Sequence, residues 1–341
     1  MKKVNVIVYG VGSLGQIVAR KILKKKNLEI VGAVERIHAG KDLGEVLGFG
    51  KKLGVTLTND AEQLFSNVKA DVVIHMTGSF LRDVYGQIAT CVKAGLNVIS
   101  SCEELSYPYY KHPKLAHEID ELAKKYGVTV LGTGINPGYL MDTLPIVLTA
   151  PCEEIDSIKV TRMMYSGDRR LSYQKKIGTG LSPKEFKRMI TEGKISGHVG
   201  LVESIAMIAA ALGLKLDHIE ELPPEAVISD EDIETSYIKV RKGHVAGLKS
   251  VAHGITEGKK IITLEFISHA NVKKPYDAIS IKGKPNINLK IEGGIHGDIG
   301  TANILVNSIP KVTIRELLNS LLISLISLST FPPLSTDILL P

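Results

Sequence analysis

Val4-Asn-Val-Ile-Val-Tyr9, then Gly10-Val-Gly12-Ser13-Leu14-Gly15, then a helical pattern over residues 16–26, decides the fold of this chain. The apolar, β-branched run reads as a buried strand. Between a strand and a helix, G-x-G-x-x-G has a mechanical meaning. Gly10 allows the tight turn, Gly12 lets a pyrophosphate approach the backbone, and Gly15 lets helix and strand pack closely. The helix N-terminus, with Ser13 and Leu14 in its first turn, then faces the phosphates. A second strand, residues 29–34, ends in Glu35, 20 positions past Gly15. At that spacing an acid binds a ribose 2′-hydroxyl. Together these features predict a dinucleotide site. Glu35 argues for NAD. Arg36, able to stack on adenine or meet a 2′-phosphate, leaves NADP open.

Working outward, strand and helix patterns alternate up to residue 135. Residues 71–76 read as a buried strand, 81–94 as a helix, 97–101 as a strand, and 113–126 as a helix with Pro113 in its first turn. This grammar predicts an α/β fold, a Rossmann-type doubly wound parallel sheet. Residues 128–131 are its last strand, followed by Gly132-Thr-Gly-Ile-Asn136-Pro-Gly138. Three glycines and a proline around one asparagine bring backbone and one amide close to a ligand at the strand ends. The alternative is an ordinary strand-to-helix turn into a helix starting near Leu140. Thr77-Gly78-Ser79 is likewise either a strand-end turn or a cradle for ribose and nicotinamide.

From about residue 155 the pattern changes. Residues 155–165 read as a strand and 166–181 as a long loop. Ser182-Pro-Lys-Glu185 forms a capping box opening a helix to residue 192. Residues 199–212 form an apolar helix ended by Gly213. Residues 235–292 alternate in short runs separated by turns, predicting a second α+β domain on a mainly antiparallel sheet. A helix over residues 298–308 is expected to dock back on the first domain. The expected division is therefore 1–135 plus 298–341 for the dinucleotide domain and 136–297 for a substrate and dimerisation domain. Residues 317–328, rich in Leu, Ile and Ser, read as a short packed helix, too few to cross a bilayer.

Bulk composition narrows the function classes. A chain of 341 residues with 44% hydrophobic content can build two cores. Its net charge of +6 comes from scattered lysines without aromatic interleaving, a pattern of solvated helix ends and not of a nucleic-acid face. Cys91, Cys102 and Cys152 lack metal-ligand spacing, so no metal site is expected and a reducing, cytoplasmic compartment is the default. No signal peptide or membrane span is expected.

Chemistry-bearing candidates follow. Glu103 and Glu104 sit at the carboxyl end of the fifth strand, where a nicotinamide would lie. One carboxylate there could take a proton from an ammonium or activate a water, and the other would point away. Arg162 lies in a half-buried strand and needs an anionic partner, either a structural carboxylate or a substrate's. His198, in Gly197-His-Val-Gly200, starts a helix and is either a cap or core residue or a ligand contact. His296, in Gly293-Gly-Ile-His-Gly-Asp298, precedes a helix that Asp298 is expected to cap.

At this point the ordered motifs resemble a family. Glu103-Glu-Leu-Ser-Tyr-Pro108, Gly132 to Gly138, Gln174-Lys-Lys-Ile-Gly178, Gly197-His-Val-Gly-Leu201 with Glu203-Ser204, and Gly293 to Asp298 are similar to those of 2,4-diaminopentanoate dehydrogenases. The native amine dehydrogenases, distant relatives of dihydrodipicolinate reductase, look similar too. The resemblance runs from the first strand to about Val312, and the tail departs from it. It implies NAD(P)-dependent oxidative deamination in which the C4 amine of 2,4-diaminopentanoate becomes a ketone with release of ammonia; a homodimer is the expected working form. It maps the amine-handling glutamate onto Glu103 or Glu104, with Glu104 favoured. It places the substrate carboxylate on Arg162 and His198. The alternatives are a dehydrogenase of simple amines, a cyclic imine reductase, for which no His-His-x-x-Lys run is present, and a dinucleotide-sensing binding protein.

Overall fold

The computed structural model describes residues 3–313 and the backbone of Leu321–Ile323. Two compact units emerge, Met1–Tyr139 with Gly297–Pro341, and Leu140–His296.

The first unit runs β1 (Val4–Tyr9), α1 (Ser13–Leu23), β2 (Leu28–Val34), α2 (Leu43–Val46), β3 (Leu57–Thr58), α3 (Ala61–Asn67), β4 (Val72–His75), α4 (Leu81–Lys93) and β5 (Asn97–Ser100). A 3₁₀ turn over Glu103–Ser106, α5 (Pro113–Tyr126) and β6 (Val130–Gly132) complete its N-terminal part. The sheet order is β3-β2-β1-β4-β5-β6, and every neighbouring pair is parallel. The order reverses between β1 and β4, which opens a crevice at the carboxyl ends of the strands. Helices cover both faces, so the strands are apolar on both sides. Val6 and Val8 pack with Val18 and Ile22 of α1, whereas Ile7, Val73 and Val98 pack with Ile88 and Ile119 of α4 and α5.

The second unit runs α6 (Thr143–Leu148), β7 (Glu154–Tyr165), α7 (Leu171–Lys176), α8 (Pro183–Thr191) and α9 (Leu201–Ala211). It continues through β8 (His218–Glu221), β9 (Glu225–Ile228), β10 (Ile233–Glu234), β11 (Lys239–Val240), β12 (Val245–Thr256), β13 (Lys259–His269), β14 (Tyr276–Lys284) and β15 (Ile287–Glu292). The main sheet has the order β15-β14-β7-β13-β12-β8, with β9 also paired to β12. Only β7 and β13 pair in parallel. The long excursion between those two strands supplies the crossover that a parallel pair requires. Helix α9 packs on β12 and β13. A side chain at Gly254 would come within 2.9 Å of Ile205 on that helix.

The chain then returns through α10 (Gly297–Val312), whose Ala302, Leu305 and Ile309 join the core of the first unit beside α1. The last described segment, β16 (Leu321–Ile323), pairs in parallel with β6.

Several local readings hold. Ser182 and Glu185 form the reciprocal capping box of α8. Others need correction. The expected loop over residues 166–181 contains α7, and β8 and β9 precede the expected start of the sheet. Of the expected helix over residues 317–328, Leu321–Ile323 form a strand instead, and the rest lies outside the described residues. Among the described residues no helix is long and apolar enough to cross a membrane.

Candidate active site

In the first unit the glycines behave as a built loop. Gly10 has a φ of 95°, and a Cβ there would stand 2.7 Å from the carbonyl oxygen of Met76 and 3.2 Å from Thr77. A Cβ at Gly15 would stand 1.9 Å from the carbonyl oxygen of Gly10. These two positions are closed by the protein itself. Gly12 is different, because a Cβ there would meet nothing within 4 Å. No side chain caps α1, no acid occupies its first turn, and Ser13 is exposed beside Leu14. The open space at Gly12, before uncapped helix N–H groups, fits a diphosphate.

Glu35 closes this loop from the side. Its carboxylate accepts hydrogen bonds from Val11 N–H at 2.8 Å and Ile37 N–H at 3.0 Å. The acid is thereby fixed at the end of β2, next to the glycines, and Arg36 lies exposed after it. Thr77 extends from β4. Its hydroxyl meets His75 Nε2 at 2.8 Å, and His75 Nδ1 meets Ser100 Oγ at 2.9 Å. Burial pushes the His75 imidazole down to about 4, so the ring is neutral near pH 7. Gly78 lets α4 begin close by, since a Cβ there would stand 2.9 Å from Val84. Asn136 is buried in the loop after β6, and Ile135 N–H in the same loop donates to Thr301 Oγ1 of α10 at 3.2 Å.

The two glutamates separate as their adjacency requires. Glu103 is half-buried and Glu104 buried. Glu104 Oε2 accepts from Leu81 N–H at 2.8 Å, at the start of α4, and meets His112 Nε2 at 2.8 Å. Its Oε1 faces the Lys111 ammonium at 3.8 Å. The 3₁₀ turn that carries both acids lies on β6, where a Cβ at Gly132 would stand 2.4 Å from the Leu105 carbonyl. The strand ends of β1, β2, β4, β5 and β6 thus gather Gly10, Glu35, Thr77, Glu104 and Asn136 along one edge of a single unit.

In the second unit Arg162 is only 2% exposed. It donates to the carbonyl of Ile295, and its Nε lies 3.8 Å from Asp277 Oδ1 on the neighbouring strand. Nε and Nη1 have no hydrogen-bond partner among the described residues. Asp277 Oδ2 accepts from Ile295 N–H at 2.8 Å. Burial raises the Asp277 carboxyl, with Arg162 opposing the rise, and lowers the Arg162 guanidinium, with Asp277 opposing the fall. His198 stacks on Phe266 at 4.2 Å, and Phe266 stands opposite Arg162 on β13. Burial, helped by the Arg162 and Lys176 charges, pushes its imidazole down to about 3. Arg162 and His198 are therefore brought together. A cavity of about 220 Å³ in this unit is lined by Met164, Arg169, Asp277, Gly294, Ile295 and His296.

Residues 139–329 match the 2,4-diaminopentanoate dehydrogenase C-terminal domain, and residues 4–131 match the dihydrodipicolinate reductase N-terminus. The 2,4-diaminopentanoate dehydrogenase of Acetoanaerobium sticklandii is 38% identical, over 92% of this chain and 90% of that protein. The chain belongs to the 2,4-diaminopentanoate dehydrogenase family. The resemblance drawn from its motifs is thereby borne out, and the chain is an oxidoreductase acting on amines. An amine dehydrogenase of Streptomyces virginiae is 24% identical over 86% of each chain. The structure of the amine dehydrogenase from Mycobacterium smegmatis superposes with a TM-score of 0.80 at 26% identity, covering 91% of this chain and 92% of that one.

Four residues of this family member escaped the sequence reading. Asp277 stands just before the alternating run that begins at Ala278, and its relation to Arg162 comes from the register of β14 on β7. Arg169 falls in the expected loop over residues 166–181, just before α7. Lys111 and His112 precede Pro113, which reads only as the start of a helix.

Proposed function

We propose that this enzyme oxidatively deaminates 2,4-diaminopentanoate at its C4 amine, giving 2-amino-4-oxopentanoate and ammonia, with NAD preferred and NADP accepted. When bound, the dinucleotide supplies a nicotinamide ring that accepts hydride. Gly12, with the first turn of α1, holds its diphosphate in the loop that Gly10 and Gly15 allow to pack, and Glu35 binds its ribose. Thr77 and Gly78 leave room for the second ribose, and Asn136 meets the carboxamide. Glu104 takes a proton from the substrate ammonium, because an ammonium has no lone pair to drive hydride from carbon. Once that proton has passed to solvent, the restored carboxylate accepts a proton from the water that adds to the substrate iminium and returns it to the nitrogen that leaves as ammonium. Arg162 and His198 hold the substrate carboxylate, and fixation at two points orients the reacting carbon.

The observation that carries the amino-acid substrate is Arg162, a buried guanidinium with two donor atoms lacking hydrogen bonds among the described residues. Such a group is costly unless an anion completes it. Neutral His198 adds one N–H without competing positive charge. The contact with Asp277 at 3.8 Å favours a second reading, a dehydrogenase of simple amines in which that acid is Arg162's sole counter-charge. Reduction of NAD⁺ and NADP⁺ across diamino acids, monoamino acids and plain amines at alkaline pH decides between them. Activity confined to plain amines overturns the first. The proposed setting is a cytoplasmic homodimer, consistent with three free cysteines; light scattering of the purified chain tests the dimer.

A further inference from the structure

Oxidative deamination leaves a surplus proton. Starting from the ammonium form, R₂CH–NH₃⁺, NAD⁺ and water become R₂C=O, NH₄⁺, NADH and H⁺. The C–H bond breaks with its electron pair going to the nicotinamide, a C–O bond forms, and the C–N bond breaks. One proton per turnover must therefore leave the base for solvent. At Glu104 that exit is constrained. The side chain is 8% exposed, and Leu81 N–H at 2.8 Å pins Oε2, which opposes rotation of the carboxyl group outward.

The groups facing this carboxylate differ in what they can accept. Lys111, 3.8 Å from Oε1, has no lone pair when it is an ammonium. His112 is the one with the right chemistry. Its Nε2 lies 2.8 Å from Oε2, and its side chain is 10% exposed. Nδ1 makes no protein hydrogen bond among the described residues.

We propose that His112 relays the proton from Glu104 to water, an inference that rests on Glu104 being the base. The ring accepts the proton at Nε2 and releases one from Nδ1, and exchange with water restores the tautomer before the next turnover. His112 acts through Glu104 and does not touch substrate, so it is a positioning and relay residue.

The test uses the full chain with His112→Gln and His112→Asn, each serving if the other does not fold. Both keep an amide N–H, and neither can carry a proton. The readouts are kcat, KM and dinucleotide binding, with and without added imidazole at fixed pH and ionic strength. The expected result is a kcat lower by about tenfold or more, KM and dinucleotide binding within about twofold, and recovery of kcat with imidazole. The unaltered enzyme should not respond to imidazole. A variant with kcat within about twofold of the unaltered enzyme, or a loss that imidazole does not restore, overturns the relay and leaves His112 as a holder of Glu104. Glu104→Gln is run in parallel. If it keeps its kcat, the base assignment itself is wrong; if it is inactive with or without imidazole, that assignment stands and only the His112 variants judge the relay.

Discussion

Gly132 lies directly against Leu105. A Cβ at position 132 would stand 2.4 Å from both the carbonyl carbon and oxygen of Leu105, so no side chain is tolerated while the 3₁₀ turn keeps its place. Gly132→Ala should shift that turn, which carries Glu103 and Glu104. The expected cost is about 1–3 kcal/mol, as for other overpacked sites. Turnover should suffer more than dinucleotide binding, because the glycine loop after β1 is untouched. Denaturant unfolding together with steady-state kinetics checks both parts. Unchanged kcat would show that the turn tolerates displacement.

Glu104→Gln keeps the shape of the side chain and removes the proton acceptor. Turnover should fall by about 10² or more, the usual scale for loss of a general base. Dinucleotide binding, followed by fluorescence titration, should survive. If Glu103→Gln is the inactive variant instead, the base lies one residue earlier. Full activity in both removes the proposed chemistry.

Arg162→Met should raise KM for a diamino acid far more than KM for an unsubstituted amine. The same change strands Asp277 in a buried site, so a stability loss of about 3–5 kcal/mol is also expected. Pairing it with Asp277→Asn relieves the stranded charge and separates substrate binding from folding. Equal KM changes for the two substrate types would make Arg162 a purely structural partner of Asp277.

Glu35 is held by Val11 and Ile37 N–H groups, and a 2′-phosphate would meet a fixed negative charge. NAD should therefore be preferred. Glu35→Ser should shift the ratio of kcat/KM values toward NADP, with Arg36 available to the phosphate. NADP favoured by more than about tenfold in the unaltered enzyme, or about 1.4 kcal/mol, contradicts the reading.

His75 is fully buried, with its pKa lowered from the ordinary 6.5 to about 4. Between these values the unfolded chain binds more protons than the folded one, so stability falls as pH falls through that window. At 1.36 kcal/mol per unit, the contribution at stake is about 3 kcal/mol. His198, lowered to about 3, acts in the same direction over a slightly wider range. His75→Gln should flatten the pH dependence of unfolding between pH 6.5 and 4. An unchanged slope would mean that His75 titrates normally.

Much of the first unit was legible because its signals are local. A glycine loop, an acid at a fixed distance and alternating apolar runs are each read along the chain, and the parallel sheet they predict is present. The second unit was less legible because its decisive relations span the sequence. β7 pairs in parallel with β13, and Asp277 faces Arg162 only through the register of β14 on β7. The alternation of either strand alone carries no sign of that partner. His112 was hidden for a related reason: the chain folds it back from the start of α5 onto Glu104, whereas its sequence neighbour Pro113 announces only a helix.

The position of α10 also governs how this protein comes into being on the ribosome. Val18 and Ile22 of α1 share a core with Leu305 and Ile309, so the first helix to be synthesised awaits α10. The whole of Leu140–His296 is made in between. Contacts of such long sequence separation make folding slow, and the unfinished face of the nascent sheet stays exposed meanwhile. Truncation before Gly297 would leave that face permanently uncovered, and the shortened chain would be a client for chaperones instead of a small autonomous nucleotide-binding module.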